Sequence, residues 1–428
     1  MLDSEIQKNL RYNFTVNIIE SGFFGLGSGF ASFITIIPLF VSTLTSSALL
    51  IGLIPAIPRL GWQLPQLLTA DKVARLKYYK PTVMLLTIHH KLPFLGLALV
   101  ALLQLRLNSQ TILQLTFAIL IWHGLGGGFC ATAWQSMVAK IIPSRKLGIF
   151  YGALAAANNL MSIFGAVIAG LLLKEFAQPF NFALCFLCAS FAMALSWFFM
   201  SRTREPVSAP SSAIETRREF WDSLSVILRC DENFRWFVSA RMLSQLALMP
   251  LPFYTLYAVH QYGMGEAFVG LITSVLMATQ TIAGLVLGWV GDRWGHKLAL
   301  QIGCIACAFS SVLACLAPNA NWFYLVFIGA GIGMMALQNI AAVMTLEFGN
   351  QQQRPAYIGL GNTLVAPATI LAPILGGWIA ENIDYKTTFL VAAIGGLVTA
   401  LLLHVGVSDP RYLEHNFSNH SVEVLPEQ

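Results

Sequence analysis

Charge is scarce in this sequence. Asp, Glu, Lys and Arg make up 11% of its 428 residues, against roughly 25% in an ordinary soluble domain, which excludes a soluble enzyme. Strand-like alternation is also lacking. The apolar residues form continuous runs, not the ~10-residue alternating segments of a transmembrane barrel, so a β-barrel is excluded. No His-Glu-x-x-His pair and no Gly-x-x-x-x-Gly-Lys-Ser/Thr loop occurs, so neither that zinc site nor a phosphate cradle for ATP drive is expected, and no cofactor is called for. The seven cysteines carry no ligand pattern. Cys185/Cys188 and Cys304/Cys307 have Cys-x-x-Cys spacing on apolar stretches without a His or carboxylate beside them, and read as buried thiols. Asp3, Glu5, Lys8 and Arg11 precede a long apolar stretch with no small-residue cleavage site after it, so no removable signal peptide is expected.

What is abundant is apolar sequence: 56% of the residues are hydrophobic and the mean hydropathy is +0.68. Runs of about 20 residues recur, enough to cross a bilayer, and only helices satisfy their own backbone there. Breaks at Pro, Gly and charge clusters place spans at 14–42, 46–70, 81–105, 111–134, 148–173 and 180–201, then at 234–260, 266–290, 298–317, 321–347, 356–382 and 386–407. The expected organisation is a terminal segment 1–13, a six-helix half 14–201, a linker 202–233, a second six-helix half 234–407 and a tail 408–428. The linker contains Pro206, Pro210, a Ser/Ala-rich stretch and an amphipathic segment from Glu219 to Arg229.

Basic residues fall in alternate loops. Nineteen of the 25, from Lys8 and Arg11 through Lys72, Arg145, Arg204 and Arg354 to Arg411, lie on one side, whereas Arg106, Lys174 and Lys386 lie on the other. The positive-inside bias therefore predicts both termini in the cytoplasm, in the cytoplasmic or inner membrane. The net charge of +5 belongs to these loops and the anionic lipid they face, and nucleic-acid binding is not expected.

The two halves repeat in order. Asn13-Phe14 recurs as Asn233-Phe234, Asp71-Lys72 as Asp292-Arg293, and Gly52-Leu53-Ile54 as Gly270-Leu271-Ile272. The glycine run Gly124–Gly128 recurs as Gly329-Ala-Gly-Ile-Gly333, and Arg204-Glu-Pro206 as Ser408-Asp-Pro410. An even number of spans per half makes the repeats parallel. The sharpest motif is Gly288-Trp-Val-Gly-Asp292-Arg293-Trp-Gly295-His296-Lys297, between the eighth and ninth spans. Its first-half copy keeps Asp71, Lys72 and Arg75 but replaces both glycines with Leu67 and Ala74.

The Gly288–Lys297 motif resembles the cytoplasmic loop signature of the major facilitator superfamily, with His296 in one basic place. Together with the twelve spans, central linker and parallel repeat, the resemblance implies an all-α polytopic membrane protein of two six-helix bundles. It also implies a secondary transporter, not an enzyme, that works as a monomer by alternating access. The signature further implies that Asp292 and Arg293, with Gly288, Gly295, Lys297 and the equivalent Asp71, brace one bundle against the other. Gly165-Ala166 stands where drug/proton antiporters of the family show Gly-Pro, which argues against that assignment.

Charges within a bilayer mark pathways or internal pairs. Glu20 is the in-span carboxylate, and Arg241, at a nearly equivalent place in span seven, is its expected partner. Arg59 falls near mid-membrane, about twelve residues or ~18 Å from Asp71, in a proline-broken stretch, Pro55-Ala-Ile-Pro58-Arg59-Leu-Gly61-Trp62-Gln63-Leu-Pro65, of the kind that builds transport sites. His89-His90-Lys91 in span three reads as a buried network, and His123 as a titratable group in span four. Arg59, Arg241, Tyr254 and Asn339 are the expected substrate ligands, and Glu20 and His123 the groups for proton coupling or gating. Since Arg59 and Arg241 outweigh Glu20, an organic anion or polar metabolite is favoured as substrate. The alternatives are a multidrug or amphiphile exporter and, on the same scaffold, a nontransporting receptor or intramembrane enzyme.

Overall fold

A computed structural model describes residues 2–33, 35–45, 47, 50, 53–54, 56–207, 217–263, 266–350 and 353–411. Gly52, Pro55, Pro210 with the rest of 208–216, and the tail from 412 onward lie outside the described residues. Among those described, all regular structure is helical. Among the described residues, nine helical stretches are long and apolar enough to span a bilayer: Lys80–Leu103, Ser109–Ile141, Ser144–Glu175, Phe180–Ser201, Ser274–Trp294, His296–Leu316, Trp322–Thr345, Arg354–Asn382 and Tyr385–Gly406.

The other three expected spans, the first, second and seventh, are broken for local reasons. The first runs as Leu2–Phe30 and then Ile36–Ser42, with Asp3, Glu5, Lys8 and Arg11 on its opening turns. The second is split into Ala56–Gln63 and Gln66–Ala74, because Pro65 lacks the N–H that would continue the ladder. The seventh is split into Glu232–Leu248 and Leu251–Tyr262 at Met249-Pro250 for the same reason. These pieces complete the two-bundle fold of twelve membrane passages. The amphipathic linker segment is a helix, Arg217–Cys230, which buries Phe220, Leu224 and Ile227 at the helical spacing of a single face.

The chain divides into two compact units. Unit 1 holds 1–143, 153–215 and 358–363; unit 2 holds 144–152, 216–357 and 364–428. Small residues set the spacing within unit 1. A Cβ built at Gly25 would fall 2.1 Å from the Asn158 carbonyl oxygen, and one at Gly29 2.2 Å from that of Ser162, so spans one and five touch backbone to backbone. The run Gly124–Gly128 does the same for span four on two sides: Gly128 against the Gly61 carbonyl of span two, 2.0 Å, and Gly126 against the His89 backbone of span three, 2.4 Å. The apolar core includes Phe40, edge-on to Phe182 and Phe186 at 5.2 and 5.4 Å. In unit 2, Tyr254, Phe327 and Phe389 fill the equivalent role.

The repeat has a physical counterpart in each unit. The Asn13 side chain donates to the Arg204 carbonyl at 2.8 Å and accepts from the Arg204 N–H at 2.9 Å. Asn233 does the same to Ser408, at 2.9 and 2.7 Å. The next residue in each case is an acid at the start of a span. Glu205 accepts from the N–H groups of Tyr79 and Lys80, at 2.9 and 2.8 Å, where span three begins. Asp409 accepts from the Lys297 N–H at 3.3 Å, where span nine begins. Free N–H groups and the helix dipole favour a carboxylate at both places.

Candidate functional site

Unit 1 pairs two of its in-span charges with each other. Lys91 Nζ lies 2.9 Å from Glu20 Oε1, with both side chains buried. Lys91 also donates to Ser196 Oγ, which donates in turn to Glu20. A chain of donors thus joins spans three, six and one, and satisfies a charge pair that would be very unfavourable if either member stood alone. The partner of Glu20 is Lys91, not the expected Arg241. Helix position predicted an acid and a base at similar depth; it did not predict that Glu20 turns toward spans three and six.

The two histidines beside this pair are also engaged. His90 and His123 stack with ring centroids 4.2 Å apart. His90 Nδ1 donates to the His123 carbonyl at 3.1 Å and His123 Nδ1 to the His90 carbonyl at 2.7 Å. Because a carbonyl only accepts, both protons sit on Nδ1. His123 is therefore a member of the span three to span four contact, which Gly126 and Gly127 make close enough to form.

Arg59 differs from the other in-span charges of its unit. It is exposed on the helix Ala56–Gln63, with no ion-pair or hydrogen-bond partner among the described residues. Gly61, two residues on, presses against Gly124 and anchors that short helix to span four, so Arg59 stands on a fixed support. Gln66, after the proline break, lies 2.7 Å from the Asn362 amide, within the same unit.

In unit 2, Arg241 is half-buried, donates to Thr345 Oγ1 at 3.2 Å and lies 5.8 Å from the centre of the Phe237 ring. Span ten departs from the α-helix at Ala336–Ile340, which winds as a π turn, a distortion that often accompanies functional positions. Gln338 is exposed there and Asn339 half-buried. The Asn339 amide donates to Met335 Sδ at 3.4 Å, and the Gln280 amide of span eight to Met334 Sδ at 3.2 Å. Thioether sulfur is a weak acceptor, so these amides are available to a better one. Tyr254, expected among the ligands, is instead 1% exposed in the aromatic core, with its hydroxyl 2.8 Å from Ser311 Oγ. Its amphipathic ring fits either environment, and the sequence could not choose between them.

The loop motif is built as its residue types require. Asp292 accepts from the N–H groups of Gly148 and Ile149, at 2.8 and 2.7 Å, capping the helix Leu147–Glu175. Gly288 permits the approach, since a Cβ there would fall 2.3 Å from the Gly148 carbonyl oxygen. Gly295 adopts φ 104°, a conformation that only glycine takes without strain. His296, one turn after Asp292, is buried between Asp292 at 3.5 Å and Glu347 at 2.9 Å. Lys297 Nζ donates to the His404 carbonyl at 2.9 Å, and Arg411 pairs with Glu347 at 3.2 Å. Burial pushes the Glu347 carboxyl above the usual carboxylate range. In the first-half copy, Asp71 pairs with Arg75 at 2.5 Å, so the i, i+4 acid and base recur without the tight glycine contact. The sequence reading missed Ser196, Glu347 and the buried pair Lys140 to Glu205 at 2.7 Å. Glu205 was legible only as one member of the repeat.

Known proteins agree with this architecture. The family model of the Major Facilitator Superfamily matches twice, over residues 91–258 and 237–422. The class B tetracycline resistance protein of Escherichia coli is 24% identical over 297 residues, which cover 64% of this chain and 70% of that protein. An uncharacterised MFS-type transporter of Schizosaccharomyces pombe is 27% identical over 140 residues, 32% of this chain, and the match spans only 24% of that relative's length. Among solved structures, the transporter FucP superposes with a TM-score of 0.74 at 14% identity, covering 92% of this chain and 98% of that one, a likeness of fold. The family's members are integral membrane transporters, not enzymes. With both halves matched by the family model, the chain belongs to the Major Facilitator Superfamily.

Proposed function

We propose that this transporter moves a small organic anion by alternating access, with Arg59 as the anion's charge partner. The carrying observation is the neutralisation inside unit 1. Glu20 and Lys91 cancel each other, which leaves the guanidiniums of Arg59 and Arg241 as the remaining charges away from the span ends. An exposed arginine without a partner is unfavourable at membrane depth unless a polar pathway or an anion accompanies it. Arg241 and Asn339 extend the proposed site in unit 2; Tyr254 leaves it. Protons are the coupling ion we propose, and Glu20 the group that carries them: a proton taken up by its carboxylate cancels the ion pair with Lys91 and leaves the ammonium donating to Ser196 Oγ. His123 supports the arrangement through its stack with His90. The loop residues Gly288, Asp292, Arg293, Gly295 and Lys297, with Asp71, serve the conformational change, in a monomer with both termini in the cytoplasm.

A second reading, export of amphiphilic drugs, is favoured by the tetracycline resistance relative, which aligns with 64% of the chain. A thermal-stabilisation screen of purified protein against organic anions and cationic drugs separates the two. The first reading expects stabilisation by an anion that is lost in Arg59→Gln and kept when Glu20→Gln is combined with Lys91→Met. Stabilisation by cationic drugs alone, unaffected by Arg59→Gln, selects the second.

A further inference from the structure

The resemblance pairs Arg293 with Asp292 in one brace, yet the two neighbours have separate surroundings. Asp292 spends both oxygens on the start of span five. Arg293 is held by two tryptophans: its guanidinium carbon lies 5.7 Å from the Trp289 ring centre and 5.6 Å from that of Trp294. The two rings meet edge-on at 5.0 Å. Trp289 is 47% exposed and Trp294 50%, and Arg293 is exposed as well. Among the described residues none of the three side chains has a hydrogen-bond or ion-pair acceptor. The usual outlet for an arginine at a helix C-terminus is also taken, because Arg411 donates to the carbonyls of Gly291 and Asp292, at 2.5 and 3.2 Å. Lys297 is committed to His404.

The result is a cluster of donors, five guanidinium N–H groups and two indole N–H groups, without an acceptor among the described residues. The face that leads to it is apolar. Ile282, Val286, Trp289 and Arg293 follow at steps of four, three and four, one stripe of a helix. Ile282 is 63% exposed and Val286 51%. Tryptophan and arginine at the end of an exposed apolar stripe are the pattern of a membrane interface, and a guanidinium edge fits phosphate oxygens in pairs.

We propose that Arg293, Trp289 and Trp294 bind the anionic headgroup of a membrane phospholipid, with one acyl chain along Val286 and Ile282. The stripe commits the site to a lipid, since free phosphate would make no use of it. The site stands apart from the substrate reading and does not depend on it.

The test uses the full chain in a neutral detergent, titrated with phosphatidylglycerol, with phosphatidylcholine of the same acyl chains, and with inorganic phosphate. Thermal midpoint and retained lipid by mass spectrometry are the readouts. Phosphatidylglycerol should bind about tenfold more tightly than phosphatidylcholine, a difference of about 1.4 kcal/mol, and inorganic phosphate should not stabilise at matched concentration. Arg293→Gln, at an exposed position, should fold normally and lose the preference. Trp289→Phe with Trp294→Phe keeps the rings, removes both indole donors and should reduce it in part. Equal binding of the two lipids by the unaltered protein, a preference that survives Arg293→Gln, or equal stabilisation by inorganic phosphate would each overturn the proposal.

Discussion

Lys91 and Glu20 are buried together, so each is tolerable only in the presence of the other. Removing one member of such a pair typically costs about 3–5 kcal/mol, whereas replacing both can be nearly neutral. Lys91→Met alone should therefore lower the thermal midpoint sharply, and adding Glu20→Gln should restore most of the loss. Additive losses in this double-mutant cycle would show that the two side chains act independently. Glycine gives a contrast between the contacts made at the two copies of the loop motif. A Cβ at Gly288 meets a backbone oxygen at 2.3 Å, whereas one at Gly359 meets Leu67 and Ala70 at 3.1 Å. Gly288→Ala should destabilise by about 1–3 kcal/mol or more through overpacking, and Gly359→Ala by less; the same unfolding assay ranks them. At this scale the sequence revealed which residues were unusual for their surroundings, but not whom they met. Glu20 stood out as a lone acid, and its partner depended on a helix rotation that a fully apolar span leaves unmarked, because hydrophobic residues surround it on every side.

Elements were more legible than contacts, because span length and apolar continuity follow from bilayer thickness. The exceptions lie at Pro65 and Pro250, where the chain breaks, and at Ala336–Ile340, where one span winds wider than an α-helix. The first two were visible as prolines. The π turn had no sequence mark beyond the polar pair Gln338-Asn339. Helix ends give a further prediction. The Asp384 side chain accepts from the Thr387 N–H at 2.5 Å, and that hydrogen bond holds its carboxyl below the usual range. A depressed carboxyl stabilises the fold above its unfolded pKa and loses that contribution as pH falls through its folded value. Asp384→Ala should therefore cost about 1 kcal/mol at neutral pH, as for other lost caps. The gap from the unaltered protein should close on acidification below about pH 4. A gap independent of pH would assign the effect to packing.

Across the whole molecule, the duplication is physical as well as textual. Asn13 and Asn233 make the same pair of hydrogen bonds to the residues that follow spans six and twelve, and Glu205 and Asp409 then meet the starts of spans three and nine. Asn13→Ala and Asn233→Ala should each cost about 1–3 kcal/mol, two modest hydrogen bonds, and should combine additively because they lie in different units. Non-additive loss would mean that the two sites are energetically coupled. The twelve passages and the family were readable from charge placement and one loop motif. The substrate was not, since a fold of this kind positions a site without specifying its cargo.

The central claim is that Arg59 carries the charge of a transported anion. The most direct measurement is uptake of a radiolabelled organic anion, chosen from the stabilisation screen, into proteoliposomes under an imposed pH gradient. The reconstituted protein should accumulate the anion when the gradient is present, and Arg59→Gln should abolish that uptake while Arg59→Lys keeps part of it. Undiminished anion flux in Arg59→Gln would contradict the account.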